Sequence, residues 1–343
     1  MKAVVYLGPG RIEVADIPDP QIIHPRDAIV RVTLTAICGS DLHAYRGELP
    51  TFDSGTVLGH EFTGEVVEAG PEVPFAPGDP VLASDLVACG RCAVCARGWH
   101  YHCPQATLFG YSSVVGSPLP GGQAELVRVP FADVVLSRYP AVLTEEQVLF
   151  AGDILTTAVT AIVEAGVAPG DAVAIIGAGP VGLLSAMCAR VSGASITVVA
   201  DPDERRRVMA SSLGFQSAEP SRLSQLMGDL GLEGVDRVVE AVGNDAALRC
   251  AIETVGAKGT VVAVGAHSSD TTTFPARRAF TGELTLRFAV GDPIKSRDRA
   301  IALVASGRLD PTRIVSHRLP LSESALGYQL FDQRLATKVV LTP

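Results

Sequence analysis

Two kinds of hydrophobic patterning divide this chain. Over roughly the first 150 residues, short segments alternate apolar and polar positions, as in Ala28-Ile29-Val30-Arg31-Val32 and Gly64-Glu65-Val66-Val67-Glu68. Alternation with a period of two is the mark of half-buried strands, and Gly/Pro clusters punctuate them. Pro77-Gly78-Asp79-Pro80 is one such turn, with proline presetting φ and glycine accepting a positive one. From about 155 to 288 the pattern changes to apolar β-branched runs alternating with helical stretches. It predicts strands at 172–177, 196–200, 235–240, 260–265 and 284–288, and helices at 180–192, 203–213 and 246–255. Such alternation implies an α/β fold, a doubly wound parallel sheet with helices on both faces. One more helix, 297–306, and a closing apolar segment, Lys338-Val339-Val340-Leu341, follow. The tail is expected to rejoin the N-terminal β part, since termini often lie close together. The expected division is therefore 1–154 with 289–343, and 155–288.

At the first strand-to-helix turn of the second part stands Gly177-Ala178-Gly179-Pro180-Val181-Gly182. Glycines spaced G-x-G-x-x-G let the backbone turn tightly, approach a pyrophosphate, and pack the helix on the sheet. The N–H groups and dipole at the helix start favour phosphate. Glycine at a turn can be steric alone. Here, however, a second strand, Ile196–Ala200, ends at Asp201, nineteen residues past Gly182. An acid at that place hydrogen-bonds the adenosine ribose and rejects a 2′-phosphate; capping of the next helix is the plainer reading of Asp201. Arg205, Arg206 and Arg207 follow directly, and an arginine there can hold a 2′-phosphate instead.

Composition narrows the setting. The chain has 343 residues, 47% of them hydrophobic, and a net charge of −9. An acidic balance argues against a nucleic-acid partner. No apolar run reaches membrane-spanning length, and Met1-Lys2-Ala3-Val4-Val5-Tyr6 alternates like a strand instead of a signal peptide. The expectation is a soluble, cytoplasmic protein with no membrane partner.

Four of seven cysteines, Cys89, Cys92, Cys95 and Cys103, crowd into fifteen residues. Four thiolates in one loop can close tetrahedrally on Zn²⁺ with no open position, a structural site; free or disulfide-paired cysteines are the alternative. A second, dispersed group is Cys38, His60, Glu61 and Asp153. Taken singly, each reads as a buried small side chain or a satisfied polar group.

These features together resemble the medium-chain, zinc-dependent alcohol dehydrogenases over essentially the whole chain. The run Gly59-His60-Glu61-x2-Gly64-x5-Gly70 is similar to that family's zinc signature, and the cysteine loop, glycine turn and Asp201 fall in its order. The resemblance implies a mainly-β, GroES-like catalytic domain beside a Rossmann sheet. It implies a catalytic zinc on Cys38 and His60, with Asp153 where many members carry a second cysteine. A branch that includes bacterial secondary-alcohol and formaldehyde dehydrogenases uses aspartate there, and Gly121-Gly122-Gln123-Ala124-Glu125 looks like the formaldehyde branch. Glu61 becomes a neighbour or occasional fourth ligand. Asp41 is either the group that orients His60 or an exposed loop aspartate.

The implied activity is hydride transfer between NAD and an alcohol or carbonyl substrate, with zinc polarising the substrate oxygen. Ser40 would accept the hydroxyl proton and pass it, through the nicotinamide ribose, to His43. Thr157, Val264 and Val290 would stand near the nicotinamide, and Arg206 would bind the ribose of NAD. The implied cofactors are two zincs per chain and NAD in preference to NADP. The implied partners are a small alcohol, aldehyde or ketone and further copies of the chain, as a homodimer or homotetramer. Two other readings stand beside this one: a formaldehyde dehydrogenase or dismutase with tightly held NAD, and a nucleotide-binding protein without catalysis.

Overall fold

The computed structural model describes residues 1–49, 51–267 and 271–343. The chain forms two compact units, Met1–Asp153 with Asp292–Pro343, and Ile154–Gly291.

The first unit is built on a seven-stranded, mostly antiparallel sheet. Its central strand, Ala28–Ile37, pairs antiparallel with Glu61–Ala69, with Leu126–Val129 and with the C-terminal strand Val339–Thr342. Glu61–Ala69 pairs in turn with Pro80–Ala83. The apolar alternation buries Val30, Val32, Phe62, Val66, Val81, Phe109, Val127 and Val129 in one core. Burial of this kind stabilises at roughly 25 cal/mol per Å² of apolar surface. A second core, with Ile37, Leu42, Leu58, Tyr328, Phe331 and Leu341, joins the C-terminal segment to the first strands.

The second unit is a six-stranded parallel sheet. Its order across the sheet is Gln216–Ala218, Ile196–Ala200, Ala172–Ile176, Val235–Glu240, Val255–Ala263 and Thr285–Phe288. The central strand Ala172–Ile176 is buried at every position, as expected where helices cover both faces. Helices Ile154–Ala165, Pro180–Val191, Glu204–Ser212 and Asp245–Thr254 pack on this sheet. The α/β class and the parallel sheet read from the pattern are what the chain adopts.

Several element bounds differ from expectation. The fourth strand starts at Val255, not 260, because Gly256 and Gly259 carry no side chain that would break an apolar alternation. The helix expected at 297–306 runs from Pro293 to Ala305. Asp292 accepts the N–H of Lys295 and Pro293 takes the first turn, so cap chemistry starts the helix before its apolar period shows. Gln216–Ala218 and Leu223–Asp229 were not anticipated: three residues are too few to show a period, and the helix is short.

At the strand-to-helix turn, Gly177 has φ +101°. A Cβ on Gly182 would lie 1.8 Å from the Gly177 carbonyl oxygen, so the helix touches the turn backbone to backbone. Gly182→Ala must push the two apart. Overpacking of this kind costs about 1–3 kcal/mol, so the variant should melt several degrees lower and bind dinucleotide more weakly. An unchanged melting temperature with unchanged binding would contradict the contact.

Candidate active site: two metal centres and a dinucleotide turn

The register of the first sheet explains how residues far apart in sequence meet. Ala36 is opposite Glu61, and Val339 is opposite Ile37. Three neighbouring strand ends therefore deliver Cys38, His60 with Glu61, and Lys338 to one edge. Asp153 arrives from the turn Phe150–Gly152. Gly152 makes that approach possible: a Cβ there would lie 2.2 Å from the Ala83 carbonyl oxygen.

One ligand atom each from Cys38, His60, Glu61 and Asp153 lie within 4.8 Å of one another. Asp153 Oδ2 is 3.3 Å from Cys38 Sγ and 3.4 Å from His60 Nε2. Ser40 Oγ is 3.0 Å from the same His60 nitrogen. Asp41 is only 1% exposed, which sets aside the reading as an exposed loop aspartate. Its Oδ2 accepts the Cys38 N–H at 2.9 Å, and its Oδ1 lies 3.3 Å from His60 Nδ1, out of hydrogen-bond alignment. Gln123, itself held by the Tyr328 hydroxyl at 2.9 Å, approaches Asp41 Oδ2 at 3.4 Å.

Sequence reasoning did not find Lys338. Its Nζ donates to Glu61 Oε1 at 2.6 Å and to the Ile37 carbonyl at 2.9 Å, with both charged side chains fully buried. A lone lysine heading an apolar run was the available signal. Glu61 thus spends one oxygen on Lys338, while Oε2 is buried with no partner.

The electrostatics fit a cation. Burial, and then the charges of Asp153 and Glu61, push the Cys38 thiol up to about 12. Burial also pushes Glu61 up to about 7, against the pull of Lys338. Burial works to lower His60, but Asp41 and Cys38 outweigh it and hold the imidazole charged well above its usual range. Burial would raise Asp153, yet the His60 contact holds it low. Orphaned atoms on Asp41, His60 and Glu61 surround a thiol, an imidazole and a carboxylate, the donor set zinc takes.

The second cluster is the cysteine loop. Sulfur–sulfur distances are 3.6 Å for Cys89–Cys103, 3.9 Å for Cys92–Cys103 and 4.0 Å for Cys89–Cys95. A tetrahedral zinc with Zn–S of about 2.3 Å has edges of about 3.8 Å, whereas a disulfide needs about 2.05 Å. The four cysteines are free thiols, which removes the disulfide alternative. Backbone N–H groups of Cys95 and Gln105 point at the sulfurs of Cys92 and Cys103. The N–H of Cys95 brings Cys92 down to about 6, while burial pushes Cys95 up to about 12. His100 clips the loop to Asp292 through its N–H at 3.0 Å and its ring at 2.9 Å.

In the second unit the turn Gly177–Gly182 opens the helix Pro180–Val191, with Gly179 as N-cap and Pro180 and Val181 in its first turn. Asp201 is 2% exposed and does more than cap: Oδ2 accepts the Ala178 N–H and Oδ1 the Asp203 N–H, both at 2.8 Å. Cap duty for the next helix falls to Asp203. Arg206 Nη1 lies 3.7 Å from Asp201 and would be 4.0 Å from a Cβ on Gly179, so its guanidinium covers the glycine turn. Arg207 instead donates to the carbonyls of Asp201 and Pro202, and Arg205 is exposed. Thr157 packs against Gly291, which has no room for a side chain there. Val264 is half-buried and Val290 is 64% exposed. His43, 30% exposed, holds Glu48 through Nδ1 at 2.5 Å in the first unit.

Comparison with known proteins agrees with this chemistry. Residues 24–141 match the family model for the alcohol dehydrogenase GroES-like domain, and residues 180–306 that for zinc-binding dehydrogenases. The chain is 36% identical to a probable zinc-binding alcohol dehydrogenase of Mycobacterium tuberculosis, over 96% of this chain and 84% of that one. It is 41% identical to a glutathione-independent formaldehyde dehydrogenase of Pseudomonas aeruginosa, over 71% of this chain and 66% of that one. Among solved structures, the alcohol dehydrogenase TADH from Thermus sp. ATN1 superposes with a TM-score of 0.95 at 42% identity, covering 100% of this chain and 99% of that one. The chain belongs to the medium-chain zinc-dependent alcohol dehydrogenases. It is an oxidoreductase with zinc and a nicotinamide dinucleotide as cofactors, which sets aside the non-catalytic reading.

Metal uptake at the first cluster has a proton signature. A thiol at about 12 is protonated at neutral pH and must lose its proton to bind zinc. Zinc affinity there therefore rises with pH. Titrating zinc into metal-free protein near pH 7 should release at least one more proton per chain from wild type than from Cys38→Ser. Equal release from the two would contradict the assignment.

Proposed function

We propose that the unit Met1–Asp153 with Asp292–Pro343 is the catalytic domain, and that Cys38, His60 and Asp153 hold its zinc with the fourth position open to substrate. The unit Ile154–Gly291 binds the dinucleotide. The observation that carries this reading is the convergence of thiol, imidazole and carboxylate within 4.8 Å while Glu61 is tied to Lys338. Cys89, Cys92, Cys95 and Cys103 hold a second, structural zinc with no open position.

When bound, the metal would supply Lewis acidity toward the substrate oxygen, and the nicotinamide would supply the hydride acceptor. The protein's part is placement and proton management. Ser40 Oγ, beside His60 Nε2, would accept the hydroxyl proton while passing its own on through the nicotinamide ribose hydroxyl. His43, partly exposed and held by Glu48, would take the relayed proton out to water. Asp41 fixes Cys38 through its N–H and faces the far nitrogen of His60, which keeps that nitrogen protonated and leaves the other to ligate once its proton is displaced.

NAD is favoured over NADP because Asp201 puts a carboxylate beside the glycine turn, with Arg206 over the turn to bind the ribose. Thr157 and Val264 border the nicotinamide. The substrate is a small alcohol, aldehyde or ketone. Formaldehyde oxidation with retained NAD is the second reading, favoured by the aspartate at 153. The edge strand Thr285–Phe288, with Phe280 at 86%, Phe288 at 58% and Val290 at 64% exposure, supports a homodimer or homotetramer. Free cysteines in a metal-type cluster suit a reducing cytoplasm, and no single helix among the described residues is long and apolar enough to cross a membrane.

The roles of the two cysteine sets separate by mutation. Cys38→Ala should abolish turnover of an alcohol panel, followed by nicotinamide absorbance, while leaving dinucleotide binding largely intact. Cys92→Ala should lower folding yield and melting temperature, because a structural zinc contributes directly to stability. Equal loss of soluble protein from both variants would sink this division.

A further inference from the structure

Asp85 is a buried acid that neither zinc cluster uses. It sits at the bend after the strand Pro80–Ala83 and is 5% exposed. The pairing Thr63 with Leu82, extended three positions past its last bonded pair, brings Asp85 level with His60 on the adjoining strand. Its own N–H donates to the Gly152 carbonyl at 2.9 Å, one residue before Asp153. Both the register and this bond place Asp85 beside the catalytic cluster. The charges of Asp153 and His60 reach it, and burial holds it well above the usual carboxylate range.

Its two oxygens differ. Oδ2 accepts from the Tyr101 hydroxyl at 3.2 Å, and Tyr101 belongs to the cysteine loop. Oδ1 is buried without a hydrogen bond of normal geometry, although the Leu86 N–H also acts on this carboxylate. The nearby cation does not serve it, since Arg297 donates to Ser84 Oγ and the Val135 carbonyl. A buried acceptor without a donor costs about 1–3 kcal/mol. A ligand hydroxyl that pairs with it recovers the cost.

We propose that Asp85 Oδ1 pairs by a hydrogen bond with a second hydroxyl of the substrate, which can both donate and accept, so that this enzyme prefers diols and polyols to simple alcohols. Tyr101 is the positioning residue: it occupies Oδ2 and aims Oδ1. The proposal rests on the dehydrogenase reading above and names the substrate class of that same site. A pocket built to pair a hydroxyl rejects an analogue that lacks it, because its polar atom is then left alone.

The test compares propylene glycol and glycerol with isopropanol, on protein loaded with zinc and dinucleotide. Both kcat/KM and the calorimetric Kd are measured for wild type, Asp85→Asn, Asp85→Leu and Tyr101→Phe. Wild type should favour the diol by at least about tenfold, and the ratio should fall toward unity in Asp85→Leu and partway in the other two variants. If Asp85→Leu does not fold, Asp85→Asn and Tyr101→Phe still carry the comparison. A wild-type ratio near unity, as when a trapped water fills the position, overturns the proposal. So does a diol preference that survives in all folded variants. Turnover of all three alcohols with no Asp85-dependent ratio leaves the dehydrogenase reading standing and this proposal fallen. Asp85-dependent diol binding without turnover does the reverse.

Discussion

The fold depends on a concentration of buried charge that water cannot screen. Cys38, His60, Glu61 and Asp153 converge at one sheet edge, all but Asp153 under 9% exposed. Desolvating ionised groups is expensive, and unless a partner compensates they neutralise instead. Lys338 compensates part of the excess by pairing with Glu61. The thiol stays protonated, and atoms of Glu61, His60 and Asp41 lack partners. A divalent cation would offset part of this: it would stabilise the thiolate and displace the proton from His60 Nε2, leaving the Nδ1 N–H facing the Asp41 carboxylate.

Three consequences follow from where this edge lies. Cys38, His60 and Glu61 sit at strand ends, so the register of an antiparallel sheet sets their separation, and Asp153 joins them from the turn Phe150–Gly152. The strand carrying Lys338 comes from the C-terminal segment, so the whole of Ile154–Gly291 precedes it in the chain before the charge balance is complete. The cysteine loop reaches the same edge through Tyr101 and Asp85, and Asp85 meets Gly152 next to the carboxylate at 153. The loop that reads as purely structural from its spacing therefore touches residues that border the buried cluster of Cys38, His60 and Asp153.

Much of this was legible in the sequence, for identifiable reasons. The alternation of apolar strands with helices announces the parallel sheet, because strands buried on both faces such as Ala172–Ile176 must be uniformly apolar. The cysteine spacing announces a metal loop because local spacing alone brings four sulfurs together. Cys38, His60 and Asp153 are different: nothing in periodicity joins positions 115 residues apart, and only resemblance to a family linked them. Lys338 and Asp85 were invisible for a related reason. Each is a single charged residue beside an apolar run, and its meaning depends on which strand end it faces. Asp201 was read for its place after a strand, but its two bonds to backbone N–H groups depend on the turn's geometry. The short strand Gln216–Ala218 shows the limit of pattern, since pairing to a neighbour and not its own composition makes it a strand.

The most direct measurement is zinc K-edge X-ray absorption on fully loaded protein. The account predicts five sulfurs shared by two zincs, four from the loop and one from Cys38, with Zn–S near about 2.3 Å, and a nitrogen or oxygen shell at about 2.0–2.2 Å bearing an imidazole signature. A spectrum with four sulfurs per zinc and no imidazole would show that only the cysteine loop binds metal, and the buried cluster at 38, 60 and 153 would have lost its reason to exist.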